Sequence, residues 1–317
     1  MDLMQITRAQ PSASTVAFAK AVGRDDCVAV EGGRTHWHYG GPLALNVRLL
    51  RAPAGVVSFE PEEMVVRCGA GTTVAELTEV LTTKGQLCAL DPAQPNLATV
   101  GGVLAAGVSG HRRLRHGPVR DSLLEAQYVA ADGAVIRAGA PVVKNVSGFD
   151  INKLLVGSFG SLGLLAEVVL RCRPAPVTSQ WIQLDGADPW KVRAAVYNPS
   201  SILWNGATVW VLVEGDPADV NAEIRMLQTM ASVQLVAIGP GLPQGGRLSL
   251  APGSLRNCVR ADGPATGLGL WVAEIGVGTV HVEHTPPLAA LPNSDLQLTV
   301  KRAYDPSGRL TPGRFPW

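Results

Sequence analysis

The residues with the most to say about chemistry are glycines. Thr99-Val100-Gly101-Gly102, Ala106-Gly107-Val108-Ser109-Gly110 and Gly157-Ser158-Phe159-Gly160-Ser161-Leu162-Gly163 crowd them into turns that adjoin apolar runs. Glycine tolerates positive φ and carries no Cβ, so successive amide N–H groups can turn inward and approach a diphosphate or an aromatic ring. Each glycine also costs roughly 0.5–1 kcal/mol of ordering entropy relative to alanine, so a stretch this rich in them needs an offsetting gain. A large, flat, phosphorylated cofactor would supply it. Tight turns inside an α/β core are the competing reading, and composition alone leaves it open.

Two other clusters could do chemistry. Arg112-Arg113-Leu114-Arg115-His116 follows the glycine-rich run and could offer anion contacts there, or form an exposed loop that meets a partner subunit. His281-Val282-Glu283-His284 is the one candidate metal cluster, but on a strand His281 and Glu283 share a face and His284 takes the other, so the three do not converge. A solvated edge strand is expected there, and no metal. Lys144 and Asn145, in Lys144-Asn145-Val146-Ser147-Gly148-Phe149-Asp150, complete the unusual segments.

Familiar catalytic signatures are missing: there is no Walker-type phosphate loop, no GxSxG, no HExxH and no GxGxxG opening a helix after a strand. Gly69-Ala70-Gly71-Thr72-Thr73-Val74 comes nearest to a dinucleotide fingerprint and lacks its third glycine.

The elements that must position these turns alternate helix and strand. Ser14 is expected to cap a helix through Val22, with Gly23 behind it, and Cys27–Val30 reads as a buried strand feeding Gly32-Gly33-Arg34-Thr35. Residues 64–68 form a strand, and Thr73 with Glu76 makes a capping box for a helix bearing Val74, Leu77, Val80 and Leu81, closed by Gly85. Residues 123–137 read as a hairpin about Ala131-Asp132-Gly133, and 162–171 as a further strand. Arg173-Pro174-Ala175-Pro176 marks a boundary, since paired prolines do not continue a central strand. Beyond residue 177 lie six of the seven tryptophans and amphipathic stretches near 190–197 and 218–230, which predict a smaller α+β domain.

Composition bounds the rest. At 317 residues the chain exceeds one ordinary core, so two domains or one large one are expected. A net charge of +1 and the brevity of the basic cluster argue against a nucleic-acid surface. Five cysteines without CxxC spacing fit a reducing, cytoplasmic compartment and neither a disulfide framework nor a zinc site. No signal peptide is expected at the N-terminus, and no apolar run reaches the ~18 residues of a membrane span.

Taken in order and spacing, Gly32-Gly33-Arg34-Thr35, Gly69-Ala70-Gly71-Thr72, Ala98-Thr99-Val100-Gly101-Gly102 and Gly157 to Gly163 resemble the FAD-binding domain of the vanillyl-alcohol oxidase and p-cresol methylhydroxylase superfamily. The closing Asp305-Pro306-Ser307-Gly308…Thr311-Pro312-Gly313-Arg314 resembles that superfamily's Asp-Pro-x-Gly…Asn-Pro-Gly segment, with Thr311 in place of the asparagine. Within the superfamily, Val143 to Asp150, Ser109 to Arg113 and the short chain look most like the E subunits of bacterial glycolate oxidases.

The resemblance implies an α+β fold: an FAD-binding domain of two subdomains over residues 1–176, a short α+β cap over 177–300, and a tail over 301–317 returning to the FAD domain. It implies that Gly32, Gly33, Arg34 and Thr35 cradle the diphosphate of a non-covalently held FAD. Thr99, Gly101, Gly102, Ala106, Gly107 and Ser109 would line the ribityl chain and flavin ring, and Gly160, Leu162, Gly163 and Leu165 would meet the adenosine end. Arg34 stands where a third glycine is usual and should stiffen or re-aim the turn and weaken its diphosphate contact. His36 and His38 follow, and neither falls directly after the glycine pair, so both read as surface or packing residues.

Three functional readings follow from the resemblance. One is an FAD-binding oxidoreductase subunit that oxidises glycolate or a related 2-hydroxy acid with a larger flavoprotein and an iron–sulfur subunit, any inner-membrane association running through those partners. Another is a stand-alone FAD-linked dehydrogenase of unknown substrate. The third is a non-catalytic flavin-holding scaffold. No catalytic base is identifiable by sequence.

Overall fold

The structure is a computed structural model that describes residues 11–141, 150–260, 263, 265–286 and 294–314. Two compact units divide the chain: one takes residues 1–110, 118–175 and 290–317, the other 111–117 and 176–289.

In the first unit, β1 (Val28–Val30) pairs in parallel with β2 (Arg48–Leu50). The next strands are β3 (Val56–Glu60), β4 (Val65–Gly69), the two-residue β5 (Gln86–Leu87), β6 (Leu123–Val129), β7 (Val135–Gly139), β8 (Leu164–Arg171) and β9 (Arg173–Pro174). Five of them form an antiparallel sheet in the order β3-β4-β8-β6-β7. Strand β8 reads Leu-Leu-Ala-Glu-Val-Val-Leu-Arg and is buried along all but its last residue, as a central strand covered on both faces must be. Alternation sends Val66, Cys68, Ala126, Tyr128, Val168 and Leu170 to one side, where they pack on α2 (Val74–Thr82) and α3 (Val100–Ala106). The other side holds Val129, Leu164 and Ala166 against Phe18 and Val22 of α1 (Ala13–Val22).

Local chemistry explains the helix ends. The α2 capping box forms as its residues dictate: Glu76 N donates to Thr73 Oγ1 at 3.2 Å and Thr73 N to Glu76 Oε2 at 2.8 Å. Helix α1 is capped by Ser12 and not Ser14, because Ser12 Oγ accepts from Thr15 N and draws the helix start back. Gly23 closes it at φ +63. Gly85 has the left-handed φ of +63 expected of it, but the α2 cap position belongs to Thr83. At residues 173–174 the chain does form a strand, a two-residue edge pairing with β5 that ends where the prolines begin to deny donors.

The tail beyond Ser294 clusters with the first unit, starting from a helix over Ser294–Tyr304. Lys301 Nζ, buried, donates to Asp305 Oδ2 at 2.5 Å, Ser161 O at 2.8 Å and Leu310 O at 3.1 Å, tying the tail to the glycine-rich 157–163 turn. Thr311 N donates to Val28 O at 2.7 Å, and Leu310 bridges to Val28, so the tail runs beside β1. Thr311 adopts φ +44, a conformation asparagine tolerates better than a β-branched residue.

The second unit is a seven-stranded antiparallel sheet of β10 (Thr178–Asp185), β11 (Ser201–Trp204), β12 (Thr208–Gly215), β13 (Val233–Val236), β14 (Gly246–Ser249), β15 (Trp271–Glu274) and β16 (Thr279–Val282), in the order β13-β10-β12-β11-β15-β16-β14. One face packs Ile182, Leu184, Val211, Ala273 and Val280 on helices over Pro189–Ala195 and Pro217–Gln228. Each helix opens on an Asp cap, Asp188 or Asp216, followed by proline, a favourable start because proline lacks the N–H that would go unpaired there. Ser179, Glu214, Glu274 and His281 fall on the opposite face by register.

Candidate functional site

A cleft of about 190 Å³ opens in the first unit where several turns meet. The β1 end supplies Val30, Glu31 and Gly32, the segment after β2 supplies Arg51, Ala52 and Ala54, and the β4–α2 turn supplies Ala70 and Gly71. The start of α3 adds Thr99, Gly101, Gly102 and Ala105, and the 155–165 segment adds Leu155, Phe159, Gly160, Gly163, Leu164 and Leu165.

Several glycines in and around the cleft are required by chain meeting chain. A Cβ on Gly33 would lie 1.7 Å from Leu97 O, one on Gly32 2.3 Å from Thr99 Oγ1, one on Gly71 2.3 Å from Ala52 O, and one on Gly101 2.8 Å from Ala70 O. These close approaches fit the tight-turn reading of the glycine runs: the turns pack closely against one another and make a thin wall. Only Gly102 is crowded solely by its own helix cap, Thr99 Oγ1 at 2.9 Å.

Of the residues singled out by sequence, the cleft brings together Gly32, Thr99, Gly101, Gly102, Gly160, Gly163 and Leu165. The others stand elsewhere. Gly33 backs onto Leu97, and Thr35 hydrogen-bonds its neighbour His36. Ala106 and Leu162 are buried in the core, Gly107 closes α3 at φ +63 against Gly157, and Ser109 Oγ accepts from Val119 N at 2.9 Å. Lys144 and Asn145 lie outside the described residues. Glu31, which opens the glycine turn after β1, and Arg51, which sequence reasoning missed, line the cleft; the parallel β1–β2 pairing sets residue 51 beside residue 31, and no local motif announces that pairing.

Glu31 and Arg51 are the only ionisable groups among the described lining residues. Arg34 turns back to them: its Nε and Nη2 donate to Glu31 Oε2 at 2.9 and 2.5 Å, while Arg51 Nη2 donates to Oε1 at 3.3 Å. The Arg34 hydrogen bond holds the Glu31 carboxyl below its usual range against the opposing effect of desolvation. Arg34 itself sits at φ +57, a left-handed backbone that favours glycine. Its guanidinium stacks 4.9 Å from the Trp37 ring, and that of Arg314 lies 3.9 Å from the same ring. His36 and His38 both contact the Tyr39 ring, at 5.3 and 4.4 Å between centroids.

In the second unit two sequence expectations are corrected. Within the basic run 112–116, which forms a helical turn over Arg113–His116 and not a loop, two arginines are engaged inside the unit: Arg112 Nε and Nη2 donate to the Glu214 carboxylate at 2.8–3.1 Å, and Arg115 Nη1 donates to Glu214 O at 2.5 Å. Strand β16 is not a solvated edge strand, since β15 and β14 flank it. His281 is only 8% exposed, and its Nε2 lies 2.6 Å from Glu274 Oε1, a partner set by strand register and not by the local His-x-Glu-His spacing. Glu283 instead accepts from Leu270 N at 2.9 Å, and His284 is exposed. Among the described residues no group of three His, Cys, Asp or Glu side chains is placed to hold a metal. The thiols of Cys68 and Cys172 are pushed up to about 12 by burial, as for inert core cysteines.

An apolar lining of Val30, Leu155, Phe159, Leu164 and Leu165, with the charged groups of Glu31 and Arg51 beside it, suits a molecule that joins aromatic rings through a diphosphate. FAD is such a molecule, and residues 7–139 match the FAD binding domain family. Residues 7–139 are thus similar to an FAD-binding domain, and the chain has a mixed α+β fold.

Its likeness to particular proteins is uneven. It is 29% identical over 217 residues to the glycolate oxidase subunit GlcE of Escherichia coli (strain K12), covering 66% of this chain and 61% of that protein. It is 29% identical over 125 residues to the glycolate oxidase subunit GlcD of Bacillus subtilis (strain 168), covering 39% of this chain and 27% of that one. A D-lactate dehydrogenase of Archaeoglobus fulgidus is 35% identical over 118 residues, 37% of this chain and 26% of its own. The chain thus spans about three fifths of the first relative's length and about a quarter of the other two. In fold it aligns with alkyldihydroxyacetonephosphate synthase at a TM-score of 0.67 and 14% identity, over 94% of this chain and 73% of that one. No helix among the described residues is long and apolar enough to cross a membrane.

Proposed function

We propose that this chain is the FAD-holding subunit of a 2-hydroxy-acid oxidase of the glycolate oxidase type, working with a larger flavoprotein subunit and an iron–sulfur subunit. The observation that carries the reading is the extent of likeness: similarity to GlcE runs over 66% of the chain, whereas similarity to GlcD and to the D-lactate dehydrogenase stops at 39% and 37%. The carry-over of substrate and partners rests on that similarity.

When bound, FAD would supply a two-electron acceptor at its ring. The chain's own part is to hold it without a covalent bond. Gly32, Thr99, Gly101 and Gly102 allow close backbone approach, and Val30, Phe159, Leu164 and Leu165 keep water from the apolar wall. In the second unit, Glu214 and His281 are engaged by Arg112 and Glu274, which favours a flavin that needs partner subunits for proton transfer. The flavin-holding scaffold is the limiting form of this reading.

The purified chain should show negligible turnover of glycolate, D-lactate or larger 2-hydroxy acids with a dye as acceptor. Activity should appear on co-expression with a catalytic flavoprotein and an iron–sulfur protein. Robust steady-state turnover by the chain alone would overturn the proposal in favour of a stand-alone dehydrogenase.

A further inference from the structure

The seven-stranded sheet of the second unit ends on β13, which pairs with β10 on one side and, among the described residues, with no strand on the other. An edge strand presents a row of N–H and C=O groups ready to pair with another chain, so natural sheets blunt their edges with charges, prolines or bulges. The other outer strands of the two large sheets are blunted in this way. Strand β14 carries Arg247, β7 carries Arg137, and β3 carries Glu60 and a register shift between Val56 and Ser58. Strand β13, Val-Gln-Leu-Val, has no such device, and no residue from 226 to 246 is charged.

Apolar side chains are nonetheless exposed along this edge: Leu235 is 53% exposed, Ile238 80%, and Met230, just ahead of the strand, 38%. The inner side of the strand is firmly seated. Val233 to Val236 run in register with Leu184 to Trp181, and Gln180 Nε2 donates to Val236 O at 3.0 Å. A Cβ on Gly239 would lie 2.7 Å from the Trp181 ring, so the chain leaves the strand pressed against β10. A strand already held in extended form loses little further entropy when a second one joins it.

The absence of charge decides which strand fits. A strand from a different protein is selected by complementary charges, and this edge offers none. Two copies meeting about a twofold axis set each position against itself or a near neighbour, where any charge would face its own like. Antiparallel self-pairing about Leu235 sets Leu235 on its mate and Val233 on Ala237 on the helix side of the sheet, and Gln234 on Val236 on the other, with no charge at any position. We propose that β13 is a dimerisation edge, pairing antiparallel with β13 of a second copy of this chain and joining two seven-stranded sheets into one. With so short a strand at its centre the interface falls at the small end of the known range, below about 1,200 Å², and forms reversibly with concentration.

Sedimentation equilibrium of the purified full chain, over a range of concentrations, tests this. The wild type should pass from one copy to two as concentration rises. The double variant Gln234→Lys, Leu235→Lys replaces two exposed side chains, one on each face, and sets lysine against lysine across the twofold; it should stay at one copy throughout. Hydrogen exchange of the wild type gives a second reading that needs no variant: the amides of residues 233–238 should be better protected in concentrated than in dilute solution. A wild type that stays monomeric, a dimer that survives in the double variant, or exchange at 233–238 that ignores concentration would overturn the proposal. Protection that appears only when another protein is added would overturn it too, by giving the edge to a foreign strand.

Discussion

The guanidinium of Arg112 grips both carboxylate oxygens of Glu214, 102 residues further along, through Nε at 3.1 and 2.9 Å and Nη2 at 2.8 Å. Ser179 Oγ adds a fourth bond at 2.9 Å. Glu214 is 6% exposed, so removing Arg112 would leave a buried charge without its main partner, a loss of about 3–5 kcal/mol by comparison with other broken buried pairs. Arg112→Ala should lower the urea midpoint of the second unit markedly, and Arg112→Lys, which restores charge but not the fork, should recover only part of it. Equal midpoints for wild type and Arg112→Ala would show that the pair does not hold the unit together.

The same pair sets a pH dependence. Burial would push the Glu214 carboxyl up, but hydrogen bonds from Arg112, Ser200 and Ser179 and the Arg112 charge bring it down from 4.5 to about 2. A carboxyl whose folded pKa is depressed stabilises the fold above its unfolded value and loses that contribution as pH falls through the folded one. Stability from Glu214 should therefore be complete above about pH 5 and decline toward pH 2, by up to about 3 kcal/mol. The difference in urea midpoint between wild type and Arg112→Ala, followed from pH 6 to pH 3, should shrink with acid. A constant difference would contradict the assignment.

His281 and His284 should behave as opposites. His281→Ala leaves Glu274 buried with neither carboxylate oxygen hydrogen-bonded, since Oε2 already lacks a partner, and should destabilise the second unit by about 1–3 kcal/mol. His284 is exposed, and His284→Ala should fall within about 0.5 kcal/mol of wild type. Thermal unfolding of the two single variants separates them, and a larger loss from His284→Ala would refute the buried pairing.

Among the glycines of the turns around the cleft, position 33, which backs onto Leu97, should be far less tolerant than position 102. A methyl on Gly33 meets the Leu97 carbonyl oxygen at 1.7 Å, which is backbone and has nowhere to go, whereas one on Gly102 meets only Thr99 Oγ1 at 2.9 Å, a rotatable hydroxyl. Gly33→Ala should therefore lose FAD and melt earlier, while Gly102→Ala keeps the fold and weakens the α3 cap. Flavin absorbance and melting temperature, measured together, would expose an inverted order.

The parts of this molecule visible in its sequence are those whose partners are near in sequence. Thr73 and Glu76 are three residues apart, and the β6–β7 turn is made by Asp132 Oδ1 accepting from Ala134 N at 2.9 Å, with Gly133 at φ +80. Such features follow from propensity and turn chemistry. The cleft was half legible: its glycines could be singled out, but the pairing of Glu31 with Arg51 could not, because only the β1–β2 pairing brings residue 51 beside residue 31. The pairing of Arg112 is hidden in the sequence for the same reason. Local spacing shows neither the sheet strand 100 residues away that supplies Glu214 to the basic run nor the β14 strand that flanks the strand of His281.

The most direct test of the central claim is the flavin content of the purified chain. Absorbance of the native protein, followed by acid or heat precipitation and identification of what the supernatant holds, gives both the flavin and its mode of attachment. One FAD per chain, released in full on denaturation, is the expected result. A colourless protein that takes up no added FAD, or flavin that stays with the precipitate, would contradict a non-covalent FAD cleft built from Gly32, Thr99, Gly101 and Gly102.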